Sequence, residues 1–393
     1  MSGGVDSSVA AALLLRDGYQ VTGAFMRQTS ASSVEPWSEE GIKTVCTWKK
    51  DRRDALRVAA KLGMPLITMD FEKEYKELVI KYMFDEYKAG RTPNPDVLCN
   101  KHIKFGVWLD AAKQLGYDYL ATGHYAQITK TQKHKNTKTQ YLLLQAKDKN
   151  KDQTYFLHQL NQKQLARALF PIGKYLKSEV RSLARRFDLP TAEREESMGI
   201  CFVGEVPMKE FLQIRITQKR GKITLTDGTV VGEHEGLAFY TIGQRHFGMQ
   251  NAVTASHRQW AGSRSGGDGR DPAQGGKFKM QKGDMKPLFV VEKRMKSNEL
   301  VVGYEDDPAL YRQEVVVGGV NWIAGQPPKF PLQCRVRLRH RQPMQVAEIR
   351  NWKLETKGER VTVYFKKPQK AVTPGQFAVF YRAEECLGGG VIQ

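Results

Sequence analysis

Residues able to do chemistry stand out at three places in this 393-residue chain. The first is Ser2-Gly3-Gly4-Val5-Asp6-Ser7-Ser8. Two adjacent glycines let a backbone turn tightly and bring its N–H groups close to a ligand. Ser7 and Ser8 are natural N-caps for the apolar run Val9 to Leu15, and Gly18 stands where a helix usually stops. A glycine loop feeding a helix N-terminus offers free N–H groups and the positive end of a dipole, which together bind phosphate. A helix cap that binds nothing is the bland alternative. No G-x-x-x-x-G-K-[ST] is present, so this is not the usual P-loop. The other two places hold cysteines. Cys99 lies in the segment Arg91 to Phe105, where Pro93 and Pro95 stiffen the chain into a non-helical loop. Lys101, His102 and Lys104 add positive charge that favours a thiolate. Cys201 lies between Gly199 and Gly204. Taken alone, each also reads as a buried structural cysteine, as do Cys46, Cys334 and Cys386.

These residues need a frame, and the periodicity supplies one. After the first helix, Gln20 to Met26 reads as a strand, about Asp51 to Leu62 as a helix closed by Gly63, and Pro65 to Met69 as another strand. A long helical pattern from Glu72 to Lys88 follows, then a helix at about Val107 to Leu115 and a strand Tyr119 to Thr122 ending in Gly123-His124-Tyr125. Alternating strands and helices predict an α/β domain with a parallel sheet. Binding residues of such sheets cluster beyond the carboxyl ends of the strands, where Met26, Gly123 and His124 fall. Lys130 to Gln140 reads as a surface loop. Beyond Gly204, alternating runs such as Lys222 to Thr226 with the turn Asp227-Gly228 predict β structure. Residues 246–287 are Gly-, Ser- and Arg-rich without a sustained period and read as mostly disordered. From about Asp307 to Gln393, Val-rich alternating segments predict a small β-barrel, with Cys386-Leu387-Gly388-Gly389-Gly390 as a terminal turn.

Net charge is +20, which suggests a polyanionic partner, either a nucleic acid or a membrane surface. From Lys329 to Lys370, twelve Lys and Arg face three Glu, a local net of +9. Within it Cys334 to Arg341 alternates with period two, placing Arg335, Arg337, Arg339 and Arg341 on one strand face. That stripe reads as a solvated edge strand or as a phosphate-contacting face; the surrounding charge favours the second. The five cysteines are too few and scattered for a disulfide scaffold and form no C-x-x-C pair. No apolar stretch reaches the length of a membrane span, and no charged-then-apolar leader precedes the loop. A cytosolic or organellar-matrix protein with reduced thiols is expected, in two or three domains.

The loop heptad resembles the pyrophosphatase (PP) loop of ATP-dependent adenylating enzymes. With it, in order, come Arg91 to Phe105, Ala121-Thr122-Gly123-His124-Tyr125, Lys151-Asp152-Gln153, the Cys201 segment, Tyr240-Thr241-Ile242-Gly243-Gln244-Arg245, Thr373-Pro374-Gly375-Gln376 and the Cys386 segment. Together these are similar to the tRNA-specific 2-thiouridylases, the MnmA/TRMU family, over nearly the whole chain. The resemblance implies an α/β PP-loop domain of the adenine nucleotide α-hydrolase type (1–204), a small central domain (205–306) and a C-terminal tRNA-binding β-barrel (307–393). It implies ATP, with Mg2+, bound by Ser2, Gly3, Gly4, Val5, Asp6, Ser7, Met26 and Gly123. By the resemblance, ATP would adenylate the 2-oxygen of the wobble uridine of a tRNA. Cys201 would carry a persulfide from a cysteine desulfurase or sulfur relay, and Cys99 would be the partner nucleophile, resolving the intermediate as a transient Cys99–Cys201 disulfide or freeing hydrosulfide. Two thiols suit this chemistry, because displacing one sulfur of a persulfide takes a second thiolate. The resemblance also implies that Asn94, Pro95 and Asp96 contact the flipped base, and that His124, Lys151, Asp152, Gln153, Arg339, His340 and Gln376 touch the tRNA. On their own, His124 also reads as a strand-end histidine and Asp152 as a helix cap.

Two departures from the family pattern are expected to matter. The family has a strand before the glycine loop, and here the chain starts at Met1. After Arg245 a basic low-complexity passage at about 246–287 precedes Leu288-Phe289-Val290-Val291. The alternatives are another PP-loop enzyme, such as an amidotransferase-type or lysidine synthetase, which needs no thiol pair, and an RNA-binding protein with an inactive catalytic half. An iron–sulfur cluster on Cys99 and Cys201 lacks a dedicated third cysteine.

Overall fold

The computed structural model describes residues 1–27, 48–131, 139–195, 208–245, 286–355 and 358–393. Helix α1, Val5–Arg16, is buried at Val5 and from Ser8 through Leu14, as expected of an Ala/Leu run with no polar face. It stops where Gly18 takes φ +87°, and the Asp17 N–H bonds the Leu13 carbonyl at 2.9 Å. Strand β1, Gly23–Arg27, pairs in parallel with β2, Leu66–Asp70. Between them runs α2, Trp48–Lys61, whose Ala55, Val58 and Ala59 are buried and which ends near Gly63 at φ +64°. Strand β3, Leu120–Ala121, pairs in parallel with β6, Ala168–Leu169. Among the described residues the parallel structure of this first domain thus comprises two separate ribbons. A strand joining them, of the kind placed ahead of Ser2, is not among the described elements; the Met1 amine donates to the Ala24 carbonyl of β1.

The Glu72 to Lys88 pattern forms consecutive helical stretches, Glu72–Tyr75, Lys76–Ile80 with π-type bonding, and Lys81–Lys88. Arg91 to Phe105 corrects the expectation of a non-helical loop. Asn94 is an extended N-cap, and Pro95 opens a helix over Pro95–Leu98. Proline suits that first position because its missing N–H has no intrahelical partner there anyway. π-Type bonding continues over Cys99–Trp108, with a kink at Gly106, and a further α-helix covers Leu109–Gln114. Cys99 is therefore a helical residue. The Lys130 to Gln140 loop is shorter than expected: β4, Ala126–Thr131, and β5, Gln140–Gln145, form an antiparallel hairpin that extends into it, and 132–138 lie outside the described residues.

The central sheet has the order β8-β7-β10-β9: β7 is Gly221–Leu225, β8 Val230–His234, β9 Phe289–Arg294 and β10 Glu299–Gly303. Gly228, at φ +91°, makes the expected turn. Ile223, Leu237, Val290, Leu300 and Val302 form its core. Most of the low-complexity passage, 246–285, lies outside the described residues, as does its expected disorder.

The C-terminal barrel closes through six strands in the order β11-β14-β13-β12-β15-β16, with β11 also paired to β16. These are β11 Tyr311–Trp322, β12 Leu332–Arg337, β13 Gln345–Glu355, β14 Gly358–Lys370, β15 Phe377–Arg382 and β16 Glu385–Ile392. The Cys386 segment is a strand and not a terminal turn. Its glycines let neighbouring strands close on it: a Cβ at Gly388 would meet the Asn321 carbonyl at 1.9 Å, and one at Gly389 the Ala378 carbonyl at 2.3 Å. On the other side β16 pairs with β5 (Glu385↔Leu144, Cys386↔Leu143), so the hairpin of the N-terminal domain extends the barrel sheet. The four-arginine stripe is also corrected. Strand β12 ends at Arg337, which is buried; Arg335 and Arg341 are exposed and Arg339 is half-buried.

Candidate nucleotide and thiol site

The glycine loop is held from three sides. Gly3 takes φ +75°, and a Cβ there would lie 2.4 Å from the Asp51 carbonyl oxygen, so only glycine fits. The Ser2 and Ser7 hydroxyls are 3.1 Å apart, and the Ser8 hydroxyl donates to the Gly4 carbonyl at 2.8 Å. Gly123, just past β3, packs so closely that a Cβ would lie 2.7 Å from the Ser7 nitrogen. Asp6, in the first turn of α1, accepts from the Tyr125 hydroxyl at 2.9 Å and from Lys177 Nζ at 2.7 and 2.9 Å. Arg194 donates to the Gly3 carbonyl at 2.9 Å and to Asp54 at 2.8 Å, and it also pairs with Asp51. The loop is thus a braced cradle at the start of a twelve-residue helix, with Lys177 balancing Asp6 and Arg194 balancing Asp51 and Asp54 of α2. Met26 sits half-buried in β1, opposite Met69.

The thiol helix meets the strand end that carries Gly123, with the Phe105 and His124 ring centroids 6.1 Å apart. Cys99 is buried, 2% exposed. Asn94 Oδ1 ahead of it is buried without a hydrogen-bond partner, leaving an acceptor unused by the protein. Burial pushes the Asp96 carboxyl up, against the opposing charge of Lys104. Burial also lowers Lys101, whose Nζ donates to Gln159 Oε1 at 3.0 Å, and lowers His102, helped by Lys101. His124 is buried; burial and Lys104 hold it well below its ordinary value, so it is neutral. Its Nδ1 lies 2.7 Å from the Thr122 hydroxyl, and its ring meets Phe170 edge-on at 5.9 Å. Cys201, Cys46 and the segment around Cys201 lie outside the described residues. Cys99, Cys334 and Cys386 form no disulfide among the described residues.

The remaining expected site residues divide in two. Gln153 brackets Tyr125, its Oε1 accepting from the Tyr125 N–H at 2.9 Å; Lys151 is half-buried beside it. Asp152 is 1% exposed. Its carboxylate accepts from Gln145 Nε2 at 3.1 Å, the Ala146 N–H at 3.2 Å, the Thr154 hydroxyl at 2.8 Å and Arg337 Nη1 at 3.1 Å. Arg337 stacks over the Tyr381 ring, 5.5 Å from its centroid. Asp152 and Arg337 thus form a buried strut between the first domain and the barrel. Arg339 donates to the carbonyls of Ile242 and Ala371, at 3.1 and 2.6 Å, and to the Thr373 hydroxyl at 2.8 Å. His340, past the strand end, packs on Phe156 with ring centroids 4.4 Å apart; burial lowers it to about 4. Gln376 donates to the Thr92 carbonyl at 2.8 Å.

Sequence reasoning missed Lys177 and Arg194. Lys177 is 171 residues from Asp6 and Arg194 is 191 from Gly3, and neither belongs to a motif that spacing could single out.

The chain matches three family models in succession. One described as "tRNA methyl transferase HUP domain" matches residues 1–205, "tRNA methyl transferase PRC-barrel domain" matches 209–259, and "Aminomethyltransferase beta-barrel domain" matches 312–392. Among curated proteins, the tRNA-specific 2-thiouridylase MnmA of Streptococcus mutans is 42% identical over 395 residues, covering 100% of this chain and 93% of the relative. Those of Alkaliphilus oremlandii and Acinetobacter baumannii are 42% identical over 394 and 396 residues, each covering 100% of this chain and 95% of the relative. With identity at that level across its full length, the chain belongs to the tRNA-specific 2-thiouridylase MnmA family.

Proposed function

We propose that this protein transfers sulfur to carbon 2 of the wobble uridine of tRNA, using ATP as activating co-substrate and a cysteine persulfide as the sulfur source. The full-length similarity to relatives named tRNA-specific 2-thiouridylase MnmA carries this reading. The family models' descriptors speak of methyl transfer. A glycine phosphate cradle and two cysteines 102 residues apart suit ATP-activated sulfur transfer, whereas methyl transfer requires neither.

The cradle fits a nucleotide's phosphates. Backbone approaches at Gly3 and Gly123 leave no room for a Cβ, and a helix N-terminus attracts anions. Ser2, Gly3, Gly4, Val5, Asp6 and Ser7 would hold ATP, with Met26 and Gly123 flanking it. Bound there, ATP supplies the adenylyl group that lets the uridine 2-oxygen leave as AMP. Lys177 neutralises Asp6, so the loop's own carboxylate does not repel the phosphates. Among the described residues no group of three or more His, Cys, Asp or Glu could hold a metal ion. Mg2+ would come with the phosphates.

Asn94, with its unpartnered buried oxygen, would receive a donor of the flipped base, flanked by Pro95 and Asp96. Lys151, Gln153, His124, Arg339 and His340 would line the tRNA side, with buried Asp152 holding Lys151 and Gln153 in place and Gln376 turned inward onto the Thr92 and Pro93 carbonyls. The outer sulfur of the Cys201 persulfide, delivered by a cysteine desulfurase or sulfur relay, bonds to carbon 2. The Cys99 thiolate attacks the inner sulfur; the bond to the transferred sulfur breaks, and a Cys99–Cys201 disulfide remains. An external dithiol supplies the two electrons that restore both thiols. If Cys99 attacks first, hydrosulfide is released as the nucleophile and the same disulfide forms.

Thiol replacements test this. Cys99→Ser and Cys201→Ser should each abolish 2-thiouridine formation, while Cys334→Ser, altering a buried barrel cysteine, leaves it nearly intact. Pyrophosphate release should survive in both inactive variants, because activation precedes sulfur attack. Thiolation by Cys99→Ser at the wild-type rate contradicts the two-thiol mechanism.

A further inference from the structure

All three domains converge on Thr92, two residues ahead of the cap of the thiol helix. From the barrel, the Pro374 carbonyl accepts the Thr92 N–H at 2.9 Å, and Gln376 Nε2 donates to the carbonyls of Thr92 and Pro93 at 2.8 and 3.3 Å. From the central domain, the Thr241 hydroxyl lies 3.4 Å from that of Thr92. Gly375 takes φ +89°, and a Cβ there would lie 2.9 Å from the Thr92 nitrogen and 3.0 Å from Arg91 Cβ. The turn bearing these groups is itself held. Gly375 N–H donates to the Ile392 carbonyl at 2.9 Å, the Ile392 N–H donates to the Gln376 carbonyl at 2.8 Å, and Arg339 ties Thr373 to Ile242.

We propose that Gln376 is a positioning residue for the thiol helix: by gripping the carbonyls of Thr92 and Pro93 it fixes where Asn94 and Cys99 stand, and so links the barrel to the reacting thiol. Its role follows from what lies between. Pro93 and Pro95 restrict the backbone on both sides of Asn94. A displacement at Thr92 is therefore passed to the helix that begins at Pro95 instead of being absorbed. Gln376 spends its amide N–H groups on the protein, so a direct nucleotide contact through that nitrogen would break the grip. The inference rests on the proposed role of Cys99.

The test compares wild type with Gln376→Ala and Gln376→Glu; the carboxylate cannot donate to the two carbonyls. Four quantities are measured: thermal midpoint, Kd for tRNA, kcat for 2-thiouridine formation, and the rate of Cys99 alkylation by iodoacetamide, read by peptide mass spectrometry. Both variants should fold with tRNA Kd within about twofold of wild type and kcat lowered about ten- to a hundredfold, as a misplaced reacting group gives. The Cys99 alkylation rate should shift several-fold, more in Gln376→Glu than in Gln376→Ala. A raised Kd with unchanged kcat and alkylation would make Gln376 a tRNA contact and overturn the proposal. Unchanged values throughout would also overturn it. If wild type forms no 2-thiouridine, the functional reading fails, while the alkylation rates still decide whether Gln376 positions Cys99.

Discussion

At the scale of single residues, Asp152 shows how a motif can be legible and its role hidden. The family resemblance assigns Lys151-Asp152-Gln153 to tRNA, yet the Asp152 carboxylate is turned inward onto Arg337, 185 residues away. Neither side chain is accessible: Arg337 is 7% exposed and Asp152 1%. Breaking such a pair leaves one charge buried, so Arg337→Ala should lower unfolding free energy in urea by about 3–5 kcal/mol. The double variant with Asp152→Ala should cost less than the sum of the singles; strict additivity would mean the two do not act as a strut. His158 makes a second case. Burial lowers it to about 3; its Nδ1–H donates to the Tyr155 carbonyl at 2.6 Å and its Nε2 is buried without a partner. The unfolded chain therefore takes up a proton on this imidazole that the folded chain does not. Its contribution to stability is full above about pH 6.5 and declines as pH falls toward 3, by about 1.4 kcal/mol per pH unit. His158→Gln should flatten the fall of urea-unfolding free energy between about pH 6.5 and 5 by one proton's slope. An unaltered slope would place the acid sensitivity elsewhere.

At the scale of elements, period and punctuation were readable wherever local chemistry decides. The stops at Gly18 and Gly63 and the turn at Gly228 all need positive φ, which glycine supplies. Elements went astray where the same residue serves two purposes. Pro95 reads as a helix breaker, but at the first helical position it is a starter. Gly388 to Gly390 read as a turn, but they are the thin part of a strand over which the barrel closes. The arginine alternation of β12 is real only to Arg337, because the strand ends there and Arg339 reaches the Ile242 carbonyl of the central domain. This divides the arginines by function. Exposed Arg335→Ala should weaken tRNA binding about equally for cognate and non-cognate tRNA, and should lower the slope of log affinity against log salt by about one. Arg337→Ala, whose guanidinium is held by Asp152, should leave that slope unchanged. An unchanged slope in Arg335→Ala would return this strand to a merely solvated edge.

At the scale of the whole molecule, the three-part architecture was legible from composition shifts and period changes, but the joints between the parts were not. Joints are made by residues far apart in sequence: β5 against β16, Asp152 against Arg337, Gln376 against Thr92. No local pattern encodes such pairings. The same holds at the site, where the glycine loop and Cys99 announced themselves and Lys177 and Arg194 did not. The central claim is that this assembled molecule activates tRNA with ATP and places sulfur on it. Its most direct test incubates the full chain with tRNA, ATP and a persulfide donor, then counts 2-thiouridine in the digested tRNA and pyrophosphate in solution. The account predicts one pyrophosphate for each 2-thiouridine formed, and no 2-thiouridine when ATP or the persulfide is omitted. Tight tRNA binding without pyrophosphate release or 2-thiouridine would contradict it.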